Sequence, residues 1–215
     1  MSIVYAYAMD EARQVRDFWF GKLPMSAQDL DRRVRFWFGE DVPAELRRQG
    51  DDLIRARFKS LLDRAASGEL ASWADSPRRC LSLILLLDQF SRNIYRGTQQ
   101  AFAYDEQALA LTLAAMQSAA DGALDVIERI FFYMPLQHAE SREVQDESVA
   151  AYRRLLAEAP KELRSTFEET LQSAEEHRSI IERFGRFPHR NRLLGRANTP
   201  EEETWLSGGE GSVAQ

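Results

Sequence analysis

The chain has 215 residues, a formal charge of -6 and 44% hydrophobic residues, enough for one fully buried core. The acidic balance excludes nonspecific nucleic-acid binding as a main role, because that needs a net positive surface. One cysteine, Cys80, excludes an internal disulfide and fits a reducing cytoplasm; the longest apolar run, Leu83 to Leu87, is too short for a membrane span; and the opening MSIVYAYAMDEAR lacks the basic start and cleavage site of a signal peptide.

Helical periodicity runs through the sequence. Met9 to Phe20 reads as a first helix ending at Gly21. Leu23 to Asp41 is polar and less regular, anchored by Trp37 and Phe38. Asp41, Pro43 and the apolar positions Leu46, Leu53, Ile54, Phe58, Leu61 and Leu62 mark a long helix ending near Gly68. Ser76 and Pro77 suit the cap and first position of the next helix, which stops before Gly97. Tyr104 to Ala119 follows, then Asp125 to Met134, halted at Pro135. Ser141 to Leu156 is closed by Pro160, and Glu162 to Phe184 ends at Gly185. Thr199-Pro200-Glu201-Glu202 is a capping box for a short helix around Trp205. No strand pattern competes, and the short connections predict antiparallel neighbours in one all-α domain over residues 1–206, with 207–215 as a disordered tail. FWFG occurs twice, at Phe18–Gly21 and Phe36–Gly39, too closely spaced for a helical-hairpin repeat, and reads as two separate aromatic anchors.

Three segments concentrate polar chemistry. In Leu81 to Gly97, Asp88 directly follows an all-apolar run and must be paired if buried; Arg92, one helical turn on, is the obvious partner, with Gln89, Asn93 and Arg96 on an adjacent stripe. This is either a structural ion pair or the wall of a cleft. In Arg129 to Glu143, His138 stands beside Glu140, which makes a proton-transfer pair, part of a metal site, or a hydrogen-bonded helix start. The third segment holds His177 on the last long helix and then Arg183, Arg186, His189, Arg190, Asn191, Arg192 and Arg196 with no acid between Arg183 and Pro200. Such a basic stretch in an acidic chain either grips an anion or locks acidic helices together. The excess of 25 arginines over three lysines favours bidentate contacts, or simply a GC-rich genome. There is no HExxH, no CxxC and no histidine pair at i,i+4, so no metal site is read; no Gly-rich phosphate loop and no GxSxG appear, so no cofactor is expected.

FWFG, LILLLDQFSRNIYRG, FFYMPLQHAES, AEEHRSIIERFGRFPHRN and LGRANTPEE, in that order from Ala12 to about Leu206, resemble the bacterial family called domain of unknown function 924. Where the family motif reads DQFPRN this chain has Ser91, a residue easier to hold inside a helix than proline. The resemblance implies an all-α fold similar to a right-handed tetratricopeptide-repeat superhelix. It implies no activity and no catalytic residues.

From the residues, the leading expectation is a binding module. Its cleft would be lined by Asp88, Arg92, Arg96, His138, Glu140, His177, Arg186, His189, Arg190 and Asn191, and would take an anionic small molecule or an acidic protein segment. The alternative is a hydrolase or transferase with a His/Glu pair as base and arginines stabilising negative charge.

Overall fold

A computed structural model of the chain describes residues 10–39 and 42–208. The described residues are all-α, without a strand. Met9, Asp41 and the expected disordered tail beyond Gly208 lie outside them.

α1 (Glu11–Phe20) is followed by α2 (Ala27–Phe38), whose cap is the Ser26 hydroxyl accepting from Asp29 N–H. The expected irregularity of this segment is replaced by a regular helix. Its pattern looks irregular because Leu30 is its one buried residue. α3 (Ala44–Ala66) buries Ile54, Phe58, Leu61, Leu62 and Ala65, whereas Leu46 and Leu53, read as apolar markers, stay 56% and 51% exposed.

α4 (Pro77–Ile84) runs without a break through a π-helical turn (Leu85–Phe90) into α5 (Ser91–Ile94). Every residue from Cys80 to Ser91 is buried. The element meets α1, α3, α6 and α7, so its apolar side chains face partners all round. Each fully buried Leu or Phe here contributes about 1.5–3 kcal/mol. The π turn is marked by Ser91 N–H bonding the Leu86 carbonyl five residues back, while the Ser91 hydroxyl donates to Leu87 O at 2.6 Å. A π turn accommodates an additional residue. Here it lets three leucines, Asp88 and Gln89 all turn inward.

α6 (Asp105–Gln117) leads to α7 (Val126–Gln137), which opens with a capping box between Asp125 and Glu128. Pro135 does not halt α7, which runs on to Gln137. Two effects outweigh the lost N–H. Ile130 to Gln137 are all buried, and the Gln145 side-chain amide donates to the carbonyls of Gln137 and Ala139 at 2.7 and 2.8 Å. α8 (Arg142–Glu158) packs on α7, and α9 (Arg164–Phe184) packs on α8 along most of its length. Gly185 closes α9 at φ 72°, a left-handed position that favours glycine. α10 (Asn191–Leu194) and α11 (Pro200–Ser207) follow, the latter on the predicted Thr199–Glu202 capping box.

The two FWFG segments hold equivalent places. Each ends a helix with its glycine just beyond, and their rings meet: Trp19 stacks on Trp37 at 6.4 Å, and Phe18 lies edge-on to Phe36 at 5.9 Å. They are anchors of one aromatic cluster that also takes in Phe90 and Phe131.

Candidate functional site

The site begins at Asp88, whose side chain has no solvent exposure. Arg92 Nη1 stands 3.2 Å from Asp88 Oδ1, the expected one-turn pair. A nearer partner comes from elsewhere. His138 Nδ1 lies 2.7 Å from the same oxygen, and Gln89 Nε2 donates to Oδ2 at 2.7 Å. Burial by itself would raise the Asp88 carboxyl; the Arg92 guanidinium and the donors from His138 and Gln89 hold it well below the usual carboxylate range. An ionised carboxylate only accepts, so His138 carries its proton on Nδ1 and turns Nε2 outward. Burial, with Arg92 nearby, lowers the His138 pKa and keeps the ring neutral near pH 7.

His138 is held in place as well as oriented. It caps the C-terminus of α7, Gln145 ties down the carbonyls on either side, and Arg190 Nη1 donates to its own carbonyl at 3.1 Å.

Its ring opens on a cavity of about 310 Å³ between α2, α5, α7, α8 and α9. Arg92, Asn93 and Arg96 form one wall; Thr166, Glu169, Thr170, Ser173, Glu176 and His177 of α9 form another; Val34, Trp37 and Phe38 of α2 close the apolar side. His177 is 6% exposed, and its Nδ1 lies 2.8 Å from Ser173 O. A carbonyl only accepts, so here too Nδ1 holds the proton and Nε2 presents a lone pair. Burial brings its pKa down to about 3. The two imidazole rings sit 6.4 Å apart.

Four of the residues expected from the sequence therefore share this cavity: Arg92, Arg96, His138 and His177, with Asp88 directly behind His138. The other five stand elsewhere. Glu140 does not orient His138. Its carboxylate takes Arg196 at 2.7 and 2.9 Å and the Phe187 N–H at 2.8 Å, and the carboxylate on the imidazole is Asp88. Arg186 grips Glu202 with two bonds, at 2.7 and 2.8 Å. Asn191 donates to Asn198 at 2.9 Å and to Glu202 at 3.3 Å. His189 packs beside Phe187, its pKa pushed down to about 4 by burial and Arg190. Arg190, 6% exposed, reaches Asp105 at 3.4 Å and lies over the rings of Phe102 and Phe187. Of the two roles open for the basic stretch, these contacts serve the locking of helices. With Arg183 on Glu201 at 2.8 Å, they bind α11 to the end of α9, and through Arg196 on Glu140 they bind the segment before α11 to the turn after α7.

Beyond lining residues such as Glu169 and Ser173, three residues that hold the site's charged groups and turn in place escaped the sequence reading. Asp51 receives Arg96 at 2.7 and 3.1 Å and Asn93 at 2.9 Å. It could have been found, since it continues the buried stripe of Ile54 and Phe58 back by one turn and so is a polar residue at a core position. Asp105, which takes both Arg92 and Arg190, and Gln145 carry no such signal.

Among known proteins, the model of a family described as a bacterial protein of unknown function, DUF924, matches residues 15–210. A solved structure of a protein of unknown function from Agrobacterium tumefaciens, ATU0120, is similar over 93% of this chain and 98% of that one, at 35% identity and a TM-score of 0.75. No curated protein matches the chain.

Proposed function

We propose that this chain, which belongs to the bacterial DUF924 family of proteins of unknown function, binds a small molecule in the cavity under α2 and moves a proton on it through His138. One observation carries the reading: a neutral imidazole, fixed by a fully buried carboxylate at 2.7 Å, opens on a cleft of about 310 Å³. Among the described residues, His138 Nε2 has no protein partner.

The proton transfer follows from the charges. His138 Nε2 takes a proton from a bound hydroxyl or water; the imidazolium that forms is stabilised by Asp88, and Arg92 and Gln89 keep Asp88 ionised throughout. This is the hydrolase or transferase alternative with Asp88 in the orienting role. The same reading takes α7, α8 and α9, each packed on the next, as a tetratricopeptide-like stretch whose inner side is the cavity wall.

The test is a panel of chromogenic carboxylic esters, lactones, amides and phosphate esters offered to the wild-type chain and to H138A. Turnover falling by about 10²–10⁴ in H138A and strongly in D88N supports the reading. Turnover that survives H138A, or a panel with no turnover and no compound that moves the His138 ring resonances, overturns it.

A second reading, a binding module for an anion, is favoured by the two guanidinium groups in the wall, Arg92 and Arg96. Benzoate or inorganic phosphate binding that is lost in R96A and causes no turnover would decide for it.

A further inference from the structure

We infer that the molecule this cavity takes carries an ammonium head, which donates to His177 Nε2 between the carboxylates of Glu169 and Glu176, with its apolar part against Trp37 and Phe38. The inference deepens the reading above, since it assumes the same cavity.

Two independent observations lead to it. The first is the hydrogen-bond polarity of the wall. His177 is more than nine-tenths buried, and its Nδ1–H is committed to Ser173 O at 2.8 Å. Its Nε2 has no partner among the described residues and can only accept from what occupies the cavity. His138 Nε2 has the same polarity, because Asp88 fixes the proton on Nδ1. A fully ionised phosphate or carboxylate has no proton to offer either nitrogen. Burial keeps His177 neutral well below neutral pH, so the lone pair persists across the physiological range.

The second is the local charge. Arg92 and Arg96 line the wall, but neither is uncommitted. Arg92 holds Asp88 at 3.2 Å and Asp105 at 2.9 Å, and Arg96 holds both oxygens of Asp51, at 2.7 and 3.1 Å. Arg190 adds one positive charge, at 3.4 Å from Asp105. Glu169 and Glu176 then stand on α9 at the cavity rim. Five carboxylates thus surround three guanidinium groups, and the histidines are neutral. The surplus is negative, so the field favours a cation and opposes an anion. Trp37 and Phe38 supply aromatic surface, which attracts ammonium groups and covers an apolar body.

The experiment uses three probes that share one ring and differ in the head: benzylamine, benzyl alcohol and benzoate. Each is titrated into the full chain with ¹⁵N-labelled histidine, reading the imidazole nitrogens and the dissociation constant. Benzylamine should bind about tenfold or more tightly than benzoate, the equivalent of about 1.4 kcal/mol, and should move the His177 Nε2 resonance. H177F should lose that preference. If H177F fails to fold, E169Q/E176Q, altered only at exposed positions, should still bring benzylamine down to the affinity of benzyl alcohol. Benzoate binding as tightly as benzylamine, benzylamine affinity unchanged in E169Q/E176Q, or His177 unmoved by all three probes overturns the inference. The two failures separate cleanly. Benzoate winning while H138A still abolishes turnover removes the ammonium head and leaves the proton transfer standing.

Discussion

Asp88 keeps its charge in an apolar core because its neighbours supply donors from three directions: Arg92 one turn ahead, Gln89 next to it, and His138 from another helix. Taking that charge away leaves Arg92 and His138 facing a neutral amide. Asp88→Asn should cost about 3–5 kcal/mol, the usual penalty for breaking a buried pair, read as a lower urea midpoint with an unchanged slope. The histidines add a pH dependence whose sign is fixed. In the unfolded chain His177 titrates near its ordinary 6.5, in the fold near about 3, so the unfolded state takes up the proton first as pH falls. Its contribution is whole above pH 6.5 and drains away between 6.5 and 3, at about 1.4 kcal/mol per pH unit. Urea midpoints measured across that range should fall with pH, and His177→Phe should flatten the slope. Asp88 and Glu202, both depressed carboxyls, extend the loss in the same direction at lower pH. A midpoint that rises on acidification would contradict these assignments.

At the scale of elements, the sequence was most legible where local chemistry decides. The Thr199–Glu202 capping box, the stop at Gly185 and the all-round apolar run ending at Leu87 are each written in adjacent residues, and each stands as expected. Gly185→Ala should cost about 1 kcal/mol, because alanine resists the left-handed backbone there; a melting temperature unchanged from wild type would refute this. Legibility failed where a distant segment intervenes. Pro135 reads as a stop until Gln145, on the next helix, supplies the end cap. His138 points to Glu140 in the sequence, yet its partner lies 50 residues back; Arg190 looks free until Asp105, 85 residues away, is in place. No local pattern encodes such pairs. The π turn is also invisible in advance, since its leucines satisfy a plain α-helix equally well.

For the whole molecule, the basic segment acts as the fastener that the sequence left as one of two choices. Glu202 is 2% exposed and takes Arg186 on both oxygens, Asn191, and the Thr199 N–H. Glu202→Ala strands Arg186 and removes half of the capping box. It should release α11 to protease digestion and lower the melting temperature by several degrees, and a digestion pattern equal to wild type would argue that the fastener is dispensable. Among the described residues, no helix is long and apolar enough to cross a bilayer.

Arg190 and Arg196, which brace the turn bearing His138, follow Asp88 and Arg92 in the chain by about a hundred residues, and so leave the ribosome after them. A nascent chain can therefore bury its central helix long before the imidazole is braced. A chain stalled just after α9 would carry the cavity walls with the turn that bears His138 still unbraced, so the geometry around that imidazole is set by residues made later than the helices that frame it.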